Sequence, residues 1–242
     1  MNAFAYLIAP FYGCFMIPTG RGSAVLYAKG QEMHVYPDIS AIDCYNEVWR
    51  ECIYERFIDL GKCSNIVDVG ANVGFFTIRA AKAAKGKVIA VEPSPRNFIL
   101  LIDNIRRHRV EGIVIPVRKA LSDYCGTTSL IETQIAGQHR LSYLSPEKKS
   151  TRVGVPVREI SVGVVRLDDI LVNAGFDRID FLKIDVEGAE LEVLRGGAES
   201  LAITQNIALE THGKSEAVES KLLEEGFTVS AFDNMIYARK DD

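Results

Sequence analysis

The chain has 242 residues, of which 48% are hydrophobic and 25% charged, an ordinary globular composition. Its 28 basic and 32 acidic residues give a formal charge of −4, which argues against a dedicated nucleic-acid binder. With 9% aromatics and no low-complexity tract it is not a disordered chain, and its length allows one or two domains.

Residues 1–17 carry no charge and include Phe4, Tyr6, Leu7, Ile8, Phe11, Phe15 and Met16. The positive n-region and small-residue cleavage site of a secretory signal are missing. Pro10, Gly13 and Pro18 interrupt the run before it reaches the ~20 apolar residues of a membrane span. This segment is expected to be an arm packed on the domain or on a second subunit of a homodimer, with no firm membrane association. The cysteines at 14, 44, 52, 63 and 125 contain no C-x-x-C pair, which suits reduced thiols in a cytoplasmic protein. Histidines 34, 108, 139 and 212 lack metal-ligand spacing, so no metal site is assigned to them.

From Tyr45 to Leu60 the apolar positions Tyr45, Val48, Trp49, Cys52, Ile53, Phe57 and Leu60 follow helical spacing, with Gly61 as the stop. Residues 1–64 therefore read as an accessory segment, an arm plus an amphipathic helix. Strand, helix and strand then alternate. Ile66–Gly70 is a short apolar strand, Val73 to Ala84 marks a helix, and Lys87–Glu92 is a second strand. A helix follows Pro95, and Gly112–Val117 is a third strand. The alternation resumes with a strand at Phe181–Asp185 and a helix over Glu187–Gly196. A strand at Asn206–Thr211, a helix from Ser215 and two final strands about an Asp233-Asn234 turn complete it. This order predicts an α/β, Rossmann-like doubly wound sheet of about seven strands over residues 65–242, mostly parallel with an antiparallel C-terminal strand. Residues 125–167 break the pattern and read as a β-rich insertion. Within it Gln138, His139, Arg140 and Tyr143 suggest an acceptor lid, or equally a plain surface hairpin.

The first strand–helix junction, Asp68-Val69-Gly70-Ala71-Asn72-Val73-Gly74, carries the cofactor signal. Gly70 permits a sharp turn and Gly74 close packing of the helix start. The spacing is not the G-x-G-x-x-G of a dinucleotide site. Asp68 suits a cationic amino-acid group, and Glu92, closing the second strand, suits two ribose hydroxyls. A ligand with a ribose and a charged amino-acid tail but no phosphate is S-adenosyl-L-methionine.

With these residues the chain resembles the FkbM family of class I S-adenosylmethionine-dependent methyltransferases. The likeness rests on Asp68–Gly74, on Glu92-Pro93-Ser94-Pro95 with Asn97 and Asn104, and on Ala120–Asp123. Leu167-Asp168-Asp169, Lys183–Glu190 (KIDVEGAE) with Leu194, and Glu210 with His212 extend it. It implies methyl transfer, most often to an oxygen of a sugar or other small hydroxylated metabolite. The expected cofactor residues are Asp68, Gly70, Ala71, Asn72, Gly74, Glu92, Pro93, Ser122, Asp123 and Asp185, with Ser122 and Asp123 at the adenine. Asp185, Glu187, Glu210 and His212 fall at carboxyl ends of strands or just beyond them, where ligands bind such sheets, and are the catalytic candidates. Asp185 stands first. His212 is the weaker candidate for the base, and Mg2+ between Asp185 and Glu210 is the less favoured alternative. Asp168 and Asp169 read as a cap on a helix from Ile170, Glu190 as structural or solvated, and the buried Lys183 as a residue needing a partner. A nucleotide-dependent oxidoreductase, or a catalytically silent cofactor-binding protein, is the competing reading.

Overall fold

The computed structural model describes residues 7–9, 14–19, 22–28, 30–38, 40–133, 139–141 and 156–240. Phe4, Tyr6, Phe11, Gln138, Tyr143 and the Lys148-Lys149 pair lie outside them.

The strand–helix alternation closes into one seven-stranded sheet. Its parallel part comprises β5 (Asn65–Val69), β6 (Lys87–Val91), β7 (Val114–Val117), β12 (Ile179–Ile184) and β13 (Thr204–Glu210). Two antiparallel strands, β14 (Thr228–Phe232) and β15 (Met235–Arg239), finish it. The order is β14-β15-β13-β12-β5-β6-β7. Asp233-Asn234 makes the turn between the last two strands, as expected. The central strands are apolar on both faces, and Ile66, Val67, Ile89 and Leu182 are fully buried, as a parallel sheet covered by helices requires. Helices α2 (Phe75–Ala83) and α3 (Pro95–Arg107) pack over one face. Helices α4 (Leu167–Ala174), α5 (Glu190–Arg195), α6 (Ala198–Ala202) and α7 (Ser215–Glu224) belong to the other. Chain order reverses between β5 and β12, so the crevice at that switch point opens at the carboxyl ends of Val69 and Ile184, which are paired in register.

The N-terminal segment differs from expectation. Instead of an arm, β1 (Leu7–Ala9), β2 (Cys14–Pro18), β3 (Ala24–Ala28) and β4 (Gln31–Val35) form an antiparallel meander. It docks on α3 through the buried Asn104. The Asn104 side chain accepts from His34 N–H (2.7 Å) and donates to the carbonyls of His34 and Val73 (both 2.8 Å). Met16, Leu26, Met33 and Val35 share one core with Ile66, Phe76 and Leu101.

The single helix expected over residues 45–60 is also broken. A short helix α1 (Ser40–Tyr45) widens into a π-helical turn over Asn46–Glu51, and Cys52 adopts a left-handed conformation (φ 54°). A 3-10 turn at Ile53–Glu55 follows. In a continuous helix Tyr54 would sit opposite the apolar stripe; the break turns it inward, to 4% exposure. Among the described residues no helix is long and apolar enough to cross a membrane.

The insertion forms a second small sheet. Strands β9 (Gly126–Thr133), β10 (Arg140–Leu141) and β11 (Pro156–Val165) join β8 (Ala120–Leu121) in the order β10-β9-β11-β8. Asp168 and Asp169 lie inside the first turn of α4, which begins at Leu167 rather than Ile170. Asp169 accepts from Arg166 N–H, and Asp168 binds Ser200 N–H (2.8 Å) at the start of α6.

Gly70 has φ +79°, and a Cβ there would lie 1.8 Å from the Asp185 carbonyl oxygen. Gly70→Ala is therefore expected to force β5 and β12 apart and to cost at least ~2 kcal/mol, read as a lower denaturation midpoint in urea.

Candidate active site

The floor of the crevice is the β5–α2 loop. Gly70 and Ala71 donate their N–H groups to the Val91 carbonyl (3.0 and 2.9 Å), which binds the loop to the end of β6. Asn72 follows in a left-handed conformation, φ 52°. Its N–H reaches Glu92 Oε2, and Ser94 N–H reaches Glu92 Oε1, both at 2.9 Å. Glu92 is thereby fixed by both oxygens, and each keeps a lone pair for a further donor. Burial raises its pKa to about 7, against the two backbone N–H groups and Lys183, which lower it. Gly70, Asn72, Glu92, Pro93, Asp185 and Glu187 line a cleft of about 630 Å³. Leu121, Leu130, His139 and Leu141, from β8 and the insertion, form its other wall.

Behind this cleft lies a buried cation. Lys183 Nζ, on a side chain 4% exposed, stands 3.2 Å from Asp68 Oδ1 and 3.6 Å from Asp185 Oδ2 and donates to the Gly70 carbonyl at 2.8 Å. Burial alone would lower the lysine pKa, but Asp68 and Asp185 more than offset it and hold it well above its usual value. Asp68 also accepts from Thr77 Oγ1 at 2.6 Å. It is fully buried beneath the loop, where it holds Lys183 and adds to the rise in the Glu92 pKa.

At the mouth, the four catalytic candidates come together. His212 Nε2 is 3.7 Å from Glu187 Oε2 and 3.9 Å from Glu210 Oε1, while Nδ1 is 2.8 Å from Glu190 Oε1. Burial opposes protonation of His212, but the Glu190 hydrogen bond and the charges of Glu187 and Asp185 push its pKa up to about 10. His212 is thus a cation near neutrality and not a proton acceptor. Burial, with Asp185 and Glu210 adding to it against His212, raises Glu187 to about 8. Glu210 is likewise raised by burial and by Asp185.

Sequence reasoning missed the residue that links these acids. Tyr54 Oη lies 3.2 Å from Asp185 Oδ2 and 3.4 Å from Glu210 Oε2. Its ring packs edge-on against Phe76 at 5.5 Å, with Lys183 Nζ 5.2 Å from its centroid. Burial and the two carboxylates raise its pKa well above the usual value, so it stays a donor. Nothing in the sequence marks it, because only the break at Cys52 brings it inward. Asn234, which donates to Glu210 Oε1 at 2.7 Å, was seen only as a turn residue.

Of the expected cofactor residues, Gly70, Asn72, Glu92, Pro93 and Asp185 line the cleft. Asp68, Ala71, Gly74, Ser122 and Asp123 do not. Gly74 starts α2 against Leu101, whose Cδ1 would lie 2.8 Å from an added Cβ. Ser122 N–H binds the Val165 carbonyl, so the chain leaves for the insertion sheet there, and Lys119–Leu121 form the wall instead. Glu190, expected to be structural or solvated, is fully buried and orients His212.

A second cleft, of about 1040 Å³, meets this cluster at Glu210. Its walls are Glu47, Glu51 and Arg56 from the N-terminal segment and Phe232–Met235 from the C-terminal hairpin. Burial and neighbouring acids, Glu210 first, raise Glu47 to about 7.

Residues 68–236 match the family model of the methyltransferase FkbM domain. The chain is 31% identical over 243 residues to methyltransferase sdnD of Sordaria araneosa, covering 89% of each protein. It is 32% identical to the 31-O-demethyl-FK506 methyltransferase FkbM of Streptomyces tacrolimicus, over 80% of this chain and 84% of that one. It is also 32% identical to the hexuronic acid methyltransferase AglP of Haloferax volcanii, over 65% of this chain and 60% of that one. The chain belongs to the FkbM family of S-adenosylmethionine-dependent methyltransferases.

Proposed function

We propose that the protein methylates a hydroxyl oxygen of a small, neutral or cationic acceptor, with Asp185 as the base. One observation carries this reading: the Asp185–Tyr54–Glu210 bridge joins a residue lining one cleft to a residue lining the other. Asp185 faces the cofactor side and Glu210 the second cleft. The residues present fit S-adenosylmethionine. Glu92 is an anchored carboxylate with a free lone pair on each oxygen for the ribose hydroxyls, and no phosphate-binding glycine fingerprint competes.

The bound donor supplies a sulfonium leaving group and hence the driving force for displacement. The chain's own work is alignment and proton transfer. Asp185 accepts the acceptor hydroxyl proton, Tyr54 holds its carboxylate by a donated hydrogen bond, and Glu210, steadied by Asn234, orients the acceptor. Lys183 and His212 offset part of the charge of the four neighbouring acids Asp185, Glu187, Glu190 and Glu210. The names of two relatives, one specifying a 31-O-demethyl substrate and one a hexuronic acid, support an oxygen acceptor. Acceptor charge is read from this chain's own cleft, where Glu47, Glu51, Glu55, Glu210 and Asp233 stand against Arg56 among the described residues. An anionic acceptor is disfavoured there.

Asp185, Glu187 and His212 offer atoms within 4.8 Å of one another, a spacing a divalent ion can bridge. Because His212 is fixed by Glu190 as the cluster's own cation, we favour catalysis without Mg2+. Turnover unchanged by EDTA is the expected result, and loss on chelation restored by Mg2+ would reverse it.

With methyl-labelled S-adenosylmethionine, methyl glycosides and amino sugars should accept label ahead of glucuronic acid; a preference for the acid sinks the charge assignment. Asp185→Asn should lower kcat by at least ~100-fold with donor affinity within a few-fold, and unchanged turnover removes Asp185 as the base. Glu92→Ala should weaken S-adenosylhomocysteine binding at least ~10-fold by calorimetry. Because a carboxyl titrating at about 7 must be ionised to accept two hydroxyls, wild-type affinity should fall ~10-fold from pH 8 to pH 6. Glu92→Gln should flatten that slope.

A further inference from the structure

His139 lies in the insertion immediately before β10 and lines the cofactor cleft. Its Nδ1 accepts a hydrogen bond from Thr133 N–H at 3.1 Å. A neutral imidazole carries a single proton, so that proton sits on Nε2. Burial pushes the ring's pKa down to about 4, with Glu132 opposing only in part, and the neutral form prevails near pH 7. Nε2 is itself buried and has no hydrogen-bond partner among the described residues. A buried N–H with nothing to bond is costly and rare in folded proteins. Here it belongs to a residue that forms the wall of a ligand cleft.

The contacts of His139 indicate which part of the ligand it meets. Three hydrogen bonds lead from its ring to the ribose-binding carboxylate: Thr133 N–H to His139, Ser94 Oγ to Glu132 at 2.7 Å, and Ser94 N–H to Glu92 at 2.9 Å. Glu132 and Thr133 are adjacent on β9 and both fully buried, so this chain of contacts is held inside the protein. Pro93, Asn97 and Leu141 also contribute to the cleft wall. Gly70 and Asp185, which also line the cleft, sit just beyond β5 and β12 of the central sheet instead.

We propose that His139 donates its Nε2–H to an acceptor atom on the adenosine half of the bound cofactor, which makes the insertion part of the cofactor site. This rests on the methyl-donor reading above. Thr133 acts as the positioning group, because its N–H selects the tautomer that leaves the proton on Nε2. The insertion thus contributes a polar contact in addition to the apolar wall of Leu130 and Leu141.

The test is calorimetric titration of the full chain with S-adenosylhomocysteine and with 5′-methylthioadenosine, which lacks the amino-acid half. His139→Phe keeps a flat ring but loses the donor, and should weaken both ligands by the same factor, about five- to tenfold. His139→Gln keeps a donor at similar reach and should bind within about twofold of wild type. Unchanged affinity in His139→Phe overturns the proposal. A loss seen with S-adenosylhomocysteine but not with 5′-methylthioadenosine puts the contact on the amino-acid half and also overturns it. A His139→Gln protein as weak as His139→Phe shows that a donor at this reach does not restore binding, and overturns donation from Nε2. Wild-type protein that binds neither ligand fails differently, since it removes the methyl-donor reading itself.

Discussion

The site depends on a lysine ammonium enclosed by the sheet. Lys183 lies on β12 between Asp68 of the neighbouring strand and Asp185, capped by the Gly70 carbonyl. Removing one partner from such a buried pair typically costs ~3–5 kcal/mol, because the other charge stays behind uncompensated. The arrangement therefore locks three things together: the register of β5 against β12, the path of the loop at Gly70, and the position of the Asp185 carboxylate. Gly70 must lack a side chain for the same reason, since the Asp185 carbonyl fills the space that a Cβ would take. Asp68 contributes to function from below the site, although it never faces the cleft.

From this anchor the remaining groups assemble by topology rather than by sequence proximity. Parallel strands bring the ends of β5, β6, β12 and β13 to one edge, which collects Glu92, Asp185 and Glu210. The N-terminal segment then closes that edge from outside. Its meander is held by Asn104, and the broken helix that follows delivers Tyr54 to Asp185 and Glu210. Arg79, on α2, braces the same turn by pairing with Glu55 and lying 3.3 Å from Cys52 Sγ. Residues more than a hundred positions apart thus share one hydrogen-bonded cluster.

This explains what could be read in advance. The sheet was legible because each buried parallel strand is a short apolar run and each crossover has helical periodicity, signals confined to a few residues. Glu92 and Asp185 stood out as candidates because a strand end in such a sheet is a ligand position whatever its partners. Tyr54, Asn234 and the tautomer of His139 did not, since each acquires its role from a contact made by distant chain. The N-terminal meander was not legible because its strands alternate weakly and the first 17 residues carry no charge to mark an outward face. Ser122 and Asp123 do not line the cleft for a local reason: β8 pairs in parallel with β11 and draws the chain off the cleft one residue early. Overreading the periodic stripe at 45–60 hid the break at Cys52, where a residue adopts positive φ that periodicity does not report.

The charge balance at the junction of the two clefts imposes a limit on how such a site can work. A sulfonium donor is drawn to carboxylates, but its charge fades as the methyl leaves, so acids placed against it stabilise the ground state more than the transition state. Four acids clustered with no compensation would therefore slow the transfer they help to bind. The structure moderates their field in two ways. Lys183 and His212 place fixed positive charge among them, and burial raises Glu187 and Glu210 above the usual carboxylate range. What remains is a locally concentrated negative charge at Asp185, held by Tyr54 and Lys183, which on the reading proposed above receives the departing hydroxyl proton. The buried cation that sets the strand register thus also sets, on that reading, the field at the proton acceptor.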